Sequence, residues 1–547
     1  MKGGGIGFAD SDRKMKKFRI ISFVLVLLIA ASVFAGCGNK KSADVEGTEV
    51  TWFTNMDMGP DNERIFELVN KRVKELTGCT IKFVAIDSTQ YDLQFSSGQE
   101  IDLIYSPDHA GYWTNVEKGA FMELTEEDLK TYAPYIWENG KEQLEIAKYD
   151  GKYYAIPAIG DSWAANRVYA ARGDLMDKYG IESLNTIDDV SEYLLAVADG
   201  MTKGEHKVIP YNTNGGSGYM IFVMWAADWG WANPGSLSYA SHYYYNLFDD
   251  EYKLFLGVDT PEVKAYSEQV KEWYDRGVFS KSILSANVSS EENFRNGKSA
   301  LAWIGSPAIG NVLYNDLKKI KGADKWDVRF YSIYEKYQRA YNYMSYGTAI
   351  GATSKKKAQA LKVLNAVLAN EDLYNLIQYG EEGVHYEFDE NGGYVPLKVS
   401  EDKTYTSPYV SIRNTEYDFD TKYDYPYALD LVDELKNKTV DDPLVNCPIF
   451  TEAGDFQSMK VRLDDVYQQQ SMPRLYGAVD DVDKAIKAEK DALKLAGIDA
   501  YLKDVQRQVD AYVESHPEAM KKFRENRKAV EDYLKKNPNK TNPKDYK

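Results

Sequence analysis

Apolar and polar positions along this chain recur with two periods, and the shifts between them mark its elements. Near the amino end, Arg13 to Arg19 is basic, Ile20 to Val33 is almost wholly apolar, and Phe34-Ala35-Gly36-Cys37 is mostly small. Basic, apolar and small segments in that order predict a secretory signal. The apolar run, about 15 residues, falls short of the roughly 20 that a membrane-spanning helix needs. An uncleaved anchor helix is the alternative reading. Met15 opens a complete basic segment by itself and is a second candidate initiator. Gly38 to Glu46 is polar without periodicity, as a flexible tether should be.

Beyond the tether, Val50-Thr51-Trp52-Phe53 reads as a short strand. Ile65, Leu68, Val69, Val73 and Leu76 then fall on one helical face, and Gly78 supplies the stop. Thr80 to Ile86 and Ile101 to Tyr105 read as two more strands. Strand, helix and strand at this spacing form a βαβ unit, which predicts a parallel sheet in an α/β lobe. Asp150-Gly151 between strand formers predicts a hairpin. After Pro157 the chain passes Asp161-Ser162-Trp163 and enters the apolar run Val168 to Ala171, which leads into a helix.

From Arg172 to Tyr346 the alternation repeats. Val263 to Tyr274 is amphipathic and stops at Gly277, and Leu301-Ala302-Trp303-Ile304 reads as a buried strand. Ser345 to Gly351 is small and apolar, which suits a strand crossing between lobes. Ala358 to Leu368 predicts a helix with Leu361, Leu364, Val367 and Leu368 inward. Val482 to Leu495, ended by Gly497, and Leu502 to Val513, with Leu502, Val505, Val509 and Tyr512 in one stripe, predict two more helices. Pro517 breaks the pattern. Lys and Asn become frequent after it, and the last ten residues, with Pro538 and Pro543, are expected to be disordered.

Size and charge narrow the picture. A chain of 547 residues exceeds what one hydrophobic core supports, so at least two lobes are expected. Its net charge of −18 argues against nucleic-acid binding, which needs a basic surface to neutralise phosphates. Cys79 and Cys447 sit in apolar contexts and read as buried thiols, with a disulfide between them as the alternative.

No catalytic motif is present. Gly215-Gly216-Ser217-Gly218 lacks the lysine of a phosphate loop and does not match a nucleophile elbow. His109, His206, His242, His385 and His516 are scattered and fit no zinc pattern. Asp418, Asp420 and Asp424 lack the glycine and distal glutamate of a calcium loop and read as a solvated acidic turn. No metal and no cofactor are expected. Paired carboxylates for glycoside hydrolysis carry no weight among 84 acidic residues.

Binding fares better. The composition is rich in aromatics, with 43 Tyr and 10 Trp. Sugar rings offer apolar C–H faces and hydroxyl edges, so a saccharide site combines aromatic platforms with planar polar groups. Trp113, Trp163, Trp229 and Trp231 stand in polar, loop-like contexts and Trp303 at a strand end, against the ordinary alternative of core packing. Asn55, Asp57 and Asp108 follow the first and third strands, where open α/β sheets bind ligands; as turn or cap residues they would be merely structural.

Several motifs carry a family resemblance. Phe34-Ala35-Gly36-Cys37 resembles the lipobox of bacterial lipoproteins, which implies cleavage before Cys37 and lipidation of its thiol. Tyr379-Gly380-Glu381-Glu382-Gly383-Val384-His385-Tyr386-Glu387 resembles the Y-G-x-E-G-x-H-Y-E segment of LipO-type lipoproteins, a branch of the family 1 extracellular solute-binding proteins of ABC importers. Asp150 to Pro157 is similar to that family's D-G-K-x-Y-x-I-P, and Phe294 to Leu301 to its F-x-x-G-K-x-A-[ML]. Leu475 to Val513 resembles an uncharacterised carboxyl-terminal domain of some members. The usual apolar or glycine residue after Tyr-Gly is Glu381 here, and the P-D-[IL] segment, Ile101 to Ile104, lacks its proline.

The resemblance implies an α/β, two-lobed periplasmic-binding-protein-like clamshell of class II type, with an interlobe cleft, a hinge and a helical carboxyl-terminal extension. Its implied parts are a signal at 1–36, a lipidated Cys37 and tether to 48, and first-lobe segments at 49–164 and 347–400. The second lobe takes 165–346 and, with the helical region, 401–515; a polar helix and disordered tail take 516–547. The chain is thus expected to be a monomeric, non-enzymatic receptor on the outer face of the cell membrane, passing a carbohydrate to ABC permease subunits. The implied ligand contacts are Asn55, Asp57, Asp108, Trp113, Trp163, Arg167, Trp229, Trp231, Trp303, Tyr346 and His385. His385 is expected either to line the cleft or to cap a lobe. The same fold holding a peptide or other polar solute is one alternative, and a lipid-anchored polysaccharide-degrading enzyme is another.

Overall fold

In a computed structural model, residues 47–546 are described except 88–89, 161–166, 216–219, 236–241, 391, 409–411, 450–453 and 538–539. The readings of the signal, the lipidated Cys37 and Trp163 therefore lie outside the described residues. Contacts separate residues 1–48 from the unit formed by 49–547, and the fold below is that of the latter. Among the described residues no helix is long and apolar enough to cross a membrane.

Eight strands frame the molecule: β1 (Thr48–Thr54), β2 (Cys79–Ala85), β3 (Leu103–Tyr105), β4 (Ala155–Ile156), β5 (Val168–Arg172), β6 (Leu301–Ile304), β7 (Val328–Ser332) and β8 (Thr348–Ala349). The first lobe's sheet has the order β2-β1-β3-β8-β4. β1 runs parallel to β3, with Trp52 beside Leu103, while β8 is antiparallel to both β3 and β4. The helix Asn62–Thr77 covers this sheet through Ile65, Val69 and Val73, one turn apart, and ends on Gly78 at φ 72°. Burying each such side chain is worth about 1.5–3 kcal/mol. The apolar stripe is narrower than its periodicity predicts, since Leu68 and Leu76 remain 37% and 43% exposed. The hairpin forms as expected: Asp150 and Gly151 take φ 48° and 73° between Lys148–Tyr149 and Lys152–Tyr153, the left-handed pair that a two-residue hairpin turn requires.

The second lobe is built on the antiparallel sheet β6-β5-β7. Helices Ile187–Thr202, Met220–Asp228 and Pro261–Arg276 pack around it in a core crowded with aromatics, including Tyr169, Tyr193, Tyr266, Trp273 and Tyr331. The turn after Phe294 passes Gly297 at φ 67° into β6, a helix-to-strand turn as the motif suggests.

A third core joins Tyr245 and Tyr252 to the helices Val482–Ala496, Ile498–Ser515 and Pro517–Lys536. Pro517 starts a helix there, because a proline at the first helical position loses no hydrogen bond. Three expectations are corrected. Ser345 to Gly351 does not cross between lobes, because Thr348–Ala349 pairs on both sides within the first-lobe sheet. The chain returns to the second lobe after Tyr417, not at 401: Ile412 and Tyr417 pack in the first lobe's core, and Asn414 Nδ2 donates to the Leu368 carbonyl at 3.0 Å. The tail is not disordered over 540–546. Lys540 Nζ donates to the Asn185 carbonyl, Thr541 N to Glu434 at 2.7 Å and Lys544 Nζ to the Ile181 carbonyl at 3.1 Å. Its lysines find acceptors on the second lobe, which composition could not show. Cys79 and Cys447 are both buried, in different cores, and are not joined to each other.

Candidate functional site

Among the described residues, Ile159 packs in the first lobe and Val168 in the second, and the chain passes between the lobes' cores again from Tyr334 to Met344 and from Tyr417 to Tyr425. These passages are stitched together on the first lobe's side. Ala158 N donates to the Tyr343 carbonyl at 3.1 Å, Ile159 N to Arg413 at 2.9 Å, and Thr415 N to Ile159 at 3.0 Å. Gly160 takes φ 96° where a Cβ would lie 2.2 Å from Thr415 Oγ1, so only glycine permits that approach. Connections of this kind form a hinge, which absorbs rotation of one lobe against the other.

Tyr346, Arg413 and Asp418 sit among these connections. Arg413 is held by Asp418 at 2.6 Å, donates to the Tyr346 hydroxyl at 3.0 Å and lies 5.0 Å from the Tyr346 ring centre. Burial works against the Arg413 charge, but the Asp418 carboxylate more than offsets it and keeps the guanidinium protonated. A cavity of about 390 Å³ opens beside them, lined by Tyr346, Tyr374, Tyr379, Arg413, Asp418 and Phe419.

Polar residues follow the strands of the first-lobe sheet, and one of them, Asp108, meets a crossing residue. Asn55 and Asp57 follow β1 and are exposed, Asp87 follows β2 and is exposed, and Ser106 and Asp108 follow β3. Asp108 accepts from Asn342 Nδ2 at 3.0 Å, and the same amide nitrogen reaches the Val445 carbonyl at 3.1 Å. One side chain thus bridges the first-lobe strand ends and the carboxyl-terminal region. Thr54 Oγ1 at the end of β1, Ser106 Oγ after β3, and Asn233 Oδ1 and Asn446 Oδ1 are buried and without a hydrogen-bond partner among the described residues. A buried polar atom left so costs about 1–3 kcal/mol, and such groups commonly mark a site that a ligand or water completes.

The remaining expected contacts divide. Arg167 is half-buried at the head of β5, its carbonyl accepting from Ile333 N at 3.3 Å. Trp113 is half-buried with its ring 4.7 Å from Tyr112. Trp303 is half-buried on β6, and its indole nitrogen is buried without a partner among the described residues. Trp229 is half-buried between Trp225 at 5.9 Å and Trp231 at 4.8 Å. Trp231 itself is 4% exposed and packed on Tyr244 and Phe255, so it has no face to offer a ligand. His385 is likewise withdrawn: Nε2 lies 3.1 Å from Asp61 and Nδ1 accepts from Glu381 N at 2.9 Å, inside the first lobe. Of its two expected roles, the structure assigns it the cap. Both corrections have one cause, since burial among neighbours is invisible in a loop-like local sequence.

Sequence reading missed Asp87, Asn342 and Arg413, and took Asp418 for part of a solvated acidic turn where it pairs with Arg413. Asp87 follows a strand as Asn55 does and was within reach of the same rule. Asn342 and Arg413 act through partners more than 65 residues away, Asp108, Val445 and Tyr346, and no local pattern announces them.

Two α/β lobes, three crossings and a polar seam between them define a solute-binding protein of the clamshell class. The chain belongs to the bacterial extracellular solute-binding protein family, which matches residues 69–381. Residues 459–514 match a domain of unknown function, DUF3502. A carbohydrate ABC transporter substrate-binding protein of Streptococcus pneumoniae serotype 4 is 24% identical over 387 residues, covering 69% of this chain and 74% of that protein. Among solved structures, the N-glycan transport solute-binding protein NgtS of Streptococcus pneumoniae, in complex with Man1GlcNAc, aligns with a TM-score of 0.63 at 17% identity. It spans 85% of this chain and all of that one. The alginate-binding protein AlgQ2, without calcium ion, aligns at 0.62 and 18% identity, over 85% and 98% of the two chains. These structural likenesses bear on the fold. The family is one of binding proteins, not of enzymes.

Proposed function

We propose that this protein is the lipid-anchored receptor of an ABC importer and captures a carbohydrate, in the form of an oligosaccharide, between its lobes. The observation that carries the reading is the seam at the strand ends. Exposed Asn55 and Asp57 and half-buried Asp108 there suit a solute rich in hydroxyls, because hydroxyl groups both donate and accept. Asn55, Asp57, Asp108 and Arg167 supply hydrogen bonds to sugar edges, and Trp113, Trp229, Trp303 and Tyr346 supply platforms for sugar faces. An aromatic side chain buries roughly 150–250 Å² at about 25 cal/mol per Å², enough for stacking to provide much of the affinity. Closure about the hinge excludes water and presents a changed surface to the permease. Lipidation of Cys37 holds the receptor at the membrane, since two acyl chains anchor stably where one does not. The relative from Streptococcus pneumoniae, named as a carbohydrate transporter component, supports the same reading.

Thermal-shift and calorimetric titration of the purified protein against oligosaccharides of several linkages tests it. Saturable binding with a rise in melting temperature is expected, with the glycan recovered intact. Binding of peptides in place of sugars, or steady release of cleaved product, would replace the reading with a peptide receptor or a glycan-degrading enzyme. Cys37→Ser is expected to move the protein from the membrane to the soluble fraction.

A further inference from the structure

Given the saccharide reading above, the carboxyl-terminal region offers the site a further wall. The helix Gly454–Val466 runs into Tyr467–Ser471, a π-helical turn in which Met472 N donates to the Tyr467 carbonyl, five residues back. Such a turn holds one residue more than a regular one, so it re-aims the side chains it carries, and it is frequent at functional sites. Regular helix resumes at Met472–Leu475. The turn is fixed from behind. Ser471 Oγ donates to Glu489 at 2.7 Å, Arg474 reaches Glu489 at 2.6 Å and Ser267 of the second lobe at 3.1 Å, and the Tyr476 hydroxyl donates to the Gly215 carbonyl. Contacts lead from it to the interlobe seam. The Tyr467 ring centre lies 6.0 Å from that of His242, whose Nε2 is 2.9 Å from the Leu463 carbonyl. The carbonyl of Tyr243, next in the chain, accepts from Asn233 Nδ2, and Gly235 N donates to the Leu444 carbonyl at 2.7 Å. Leu444 precedes Val445, which Asn342 ties to Asp108.

What the turn shows to solvent sets it apart from its own helix. Lys460, Arg462, Asp464 and Asp465 are the exposed polar positions just before it, and all are charged. At the turn they give way to three neutral amides: Gln468 and Gln469 are exposed and Gln470 is half-buried. None of the three side chains makes a hydrogen bond among the described residues. A primary amide donates and accepts in one plane, which matches neighbouring hydroxyls on the edge of a sugar ring. We infer that this π-helical turn is part of the solute site and that Gln468, Gln469 and Gln470 determine which saccharide is selected. The DUF3502 segment, 459–514, thereby reads the ligand instead of only extending the second lobe.

The test uses the full chain and the same series of oligosaccharides, followed by calorimetry. Gln468→Ala, Gln469→Ala and Gln470→Ala combined should weaken the best sugar at least tenfold and change the rank order of the series, while the ligand-free melting temperature stays where it was. Lys487→Ala, at an exposed position on the helix Val482–Ala496, should change neither. Hydrogen exchange needs no variant: saturating sugar should slow exchange at residues 467–472 and leave the helix Pro517–Lys536 as it was. Unchanged affinity and rank order in the triple variant, or no protection of the turn at saturation, overturns the inference and leaves the saccharide reading standing. An equal loss for every sugar together with a lower melting temperature marks a purely structural role and also overturns it. Absence of binding of any sugar to the unaltered protein overturns the inference and the saccharide reading together.

Discussion

The first lobe and the carboxyl-terminal region are held together by different chemistry. The first lobe's core is largely aliphatic, with Val50, Ile65, Val69, Val73, Leu361 and Leu364 closing on the sheet. Its most deeply buried carboxylate, Asp102, meets Lys356 at 2.9 Å, and that lysine keeps 29% of its side chain in solvent. The carboxyl-terminal region is instead fastened by ion pairs buried on both sides. Glu489 meets Arg474 at 2.6 Å with side chains 2% and 5% exposed, and Ser471 and Ser267 complete the network at 2.7 and 3.1 Å. Arg339 meets Asp442 at 2.7 Å, each 1% exposed, with the Tyr245 hydroxyl on the same carboxylate. An aliphatic core tolerates loss of a methyl by partial collapse, whereas a buried pair that loses one member strands a charge.

The largest effect should follow from stranding that charge. Glu489→Ala leaves Arg474 buried without its counter-ion and should cost about 3–5 kcal/mol, read as a lower midpoint in chemical denaturation. The pairing of Glu489→Leu with Arg474→Met should recover much of the loss, because replacing both members removes the desolvation penalty as well. Acid should act in the same place. Burial opposes the Glu489 charge, but Arg474 and Ser471 outweigh it and hold the carboxyl below its ordinary value. A carboxyl so lowered contributes stability above its unfolded pKa, about 4.3, and loses it as pH falls through the lower folded value. The carboxyl-terminal helices should therefore lose protection from hydrogen exchange in the acid range below about pH 4.3.

Next in size is the aliphatic side of the comparison. Ile65→Ala on the helix Asn62–Thr77 should cost about 2–5 kcal/mol, since Ile65 is fully buried. Leu68→Ala, one turn away on the same helix but 37% exposed, should stay within about 0.5 kcal/mol. Equal losses from the two would show that the stripe is as wide as its periodicity suggests and that the packing described is wrong.

The same contrast explains what was legible beforehand. Ile65, Val69 and Val73 announce a helix and its inward face, and Asp150-Gly151 announces a turn, because periodicity and backbone strain are local facts. The lipoprotein and solute-binding motifs between Asp150 and Glu387 located the family. The width of the stripe at Leu68 and Leu76 was not local, since a neighbouring element decides what it covers. Trp231 and His385 misled for that reason: their sequence surroundings look like loops, but Tyr244, Phe255, Asp61 and Glu381 enclose them. Half of the candidate site was readable from the rule that ligands gather at strand ends, which finds Asn55, Asp57 and Asp108. The other half, Asn342, Asn446 and Arg413, is assembled by contacts across the chain. The docked tail was missed because a lysine-rich, proline-containing segment reads as disordered until its acceptors are known.

A smaller effect concerns that tail. Burial, reinforced by the nearby Lys438 charge, pulls the Lys540 ammonium down to about 7. An unfolded lysine titrates near 10.4, so the undocked tail binds more protons than the docked one between those values. Docking should tighten as pH rises from about 7 towards 10, and be weakest and constant below about 7. Hydrogen exchange of residues 540–546 across pH 6–9, corrected for the intrinsic rate, should show protection rising with pH. Lys540→Met should flatten that profile.

The smallest effect tests how the carboxyl-terminal region relates to the hinge. Lys522, on the helix Pro517–Lys536, meets Glu142 of the first lobe at 3.0 Å, and both side chains are 68% exposed. Solvent screens such a pair to a few tenths of a kcal/mol at most, whereas breaking the buried Glu489–Arg474 pair, which reaches Ser267 of the second lobe, costs several. The carboxyl-terminal helices should thus travel with the second lobe when the hinge moves, with the Lys522–Glu142 contact breaking at little cost. Lys522→Ala is expected to leave the denaturation midpoint unchanged within error and to shift solute affinity less than about twofold, under 0.4 kcal/mol. A spin-label pair placed on the helix Pro517–Lys536 and on an exposed second-lobe site should keep its distance on adding ligand, while a pair between that helix and the first lobe should change. The opposite pattern would mean that the exposed contact outweighs the buried ones, and that the region belongs mechanically to the first lobe.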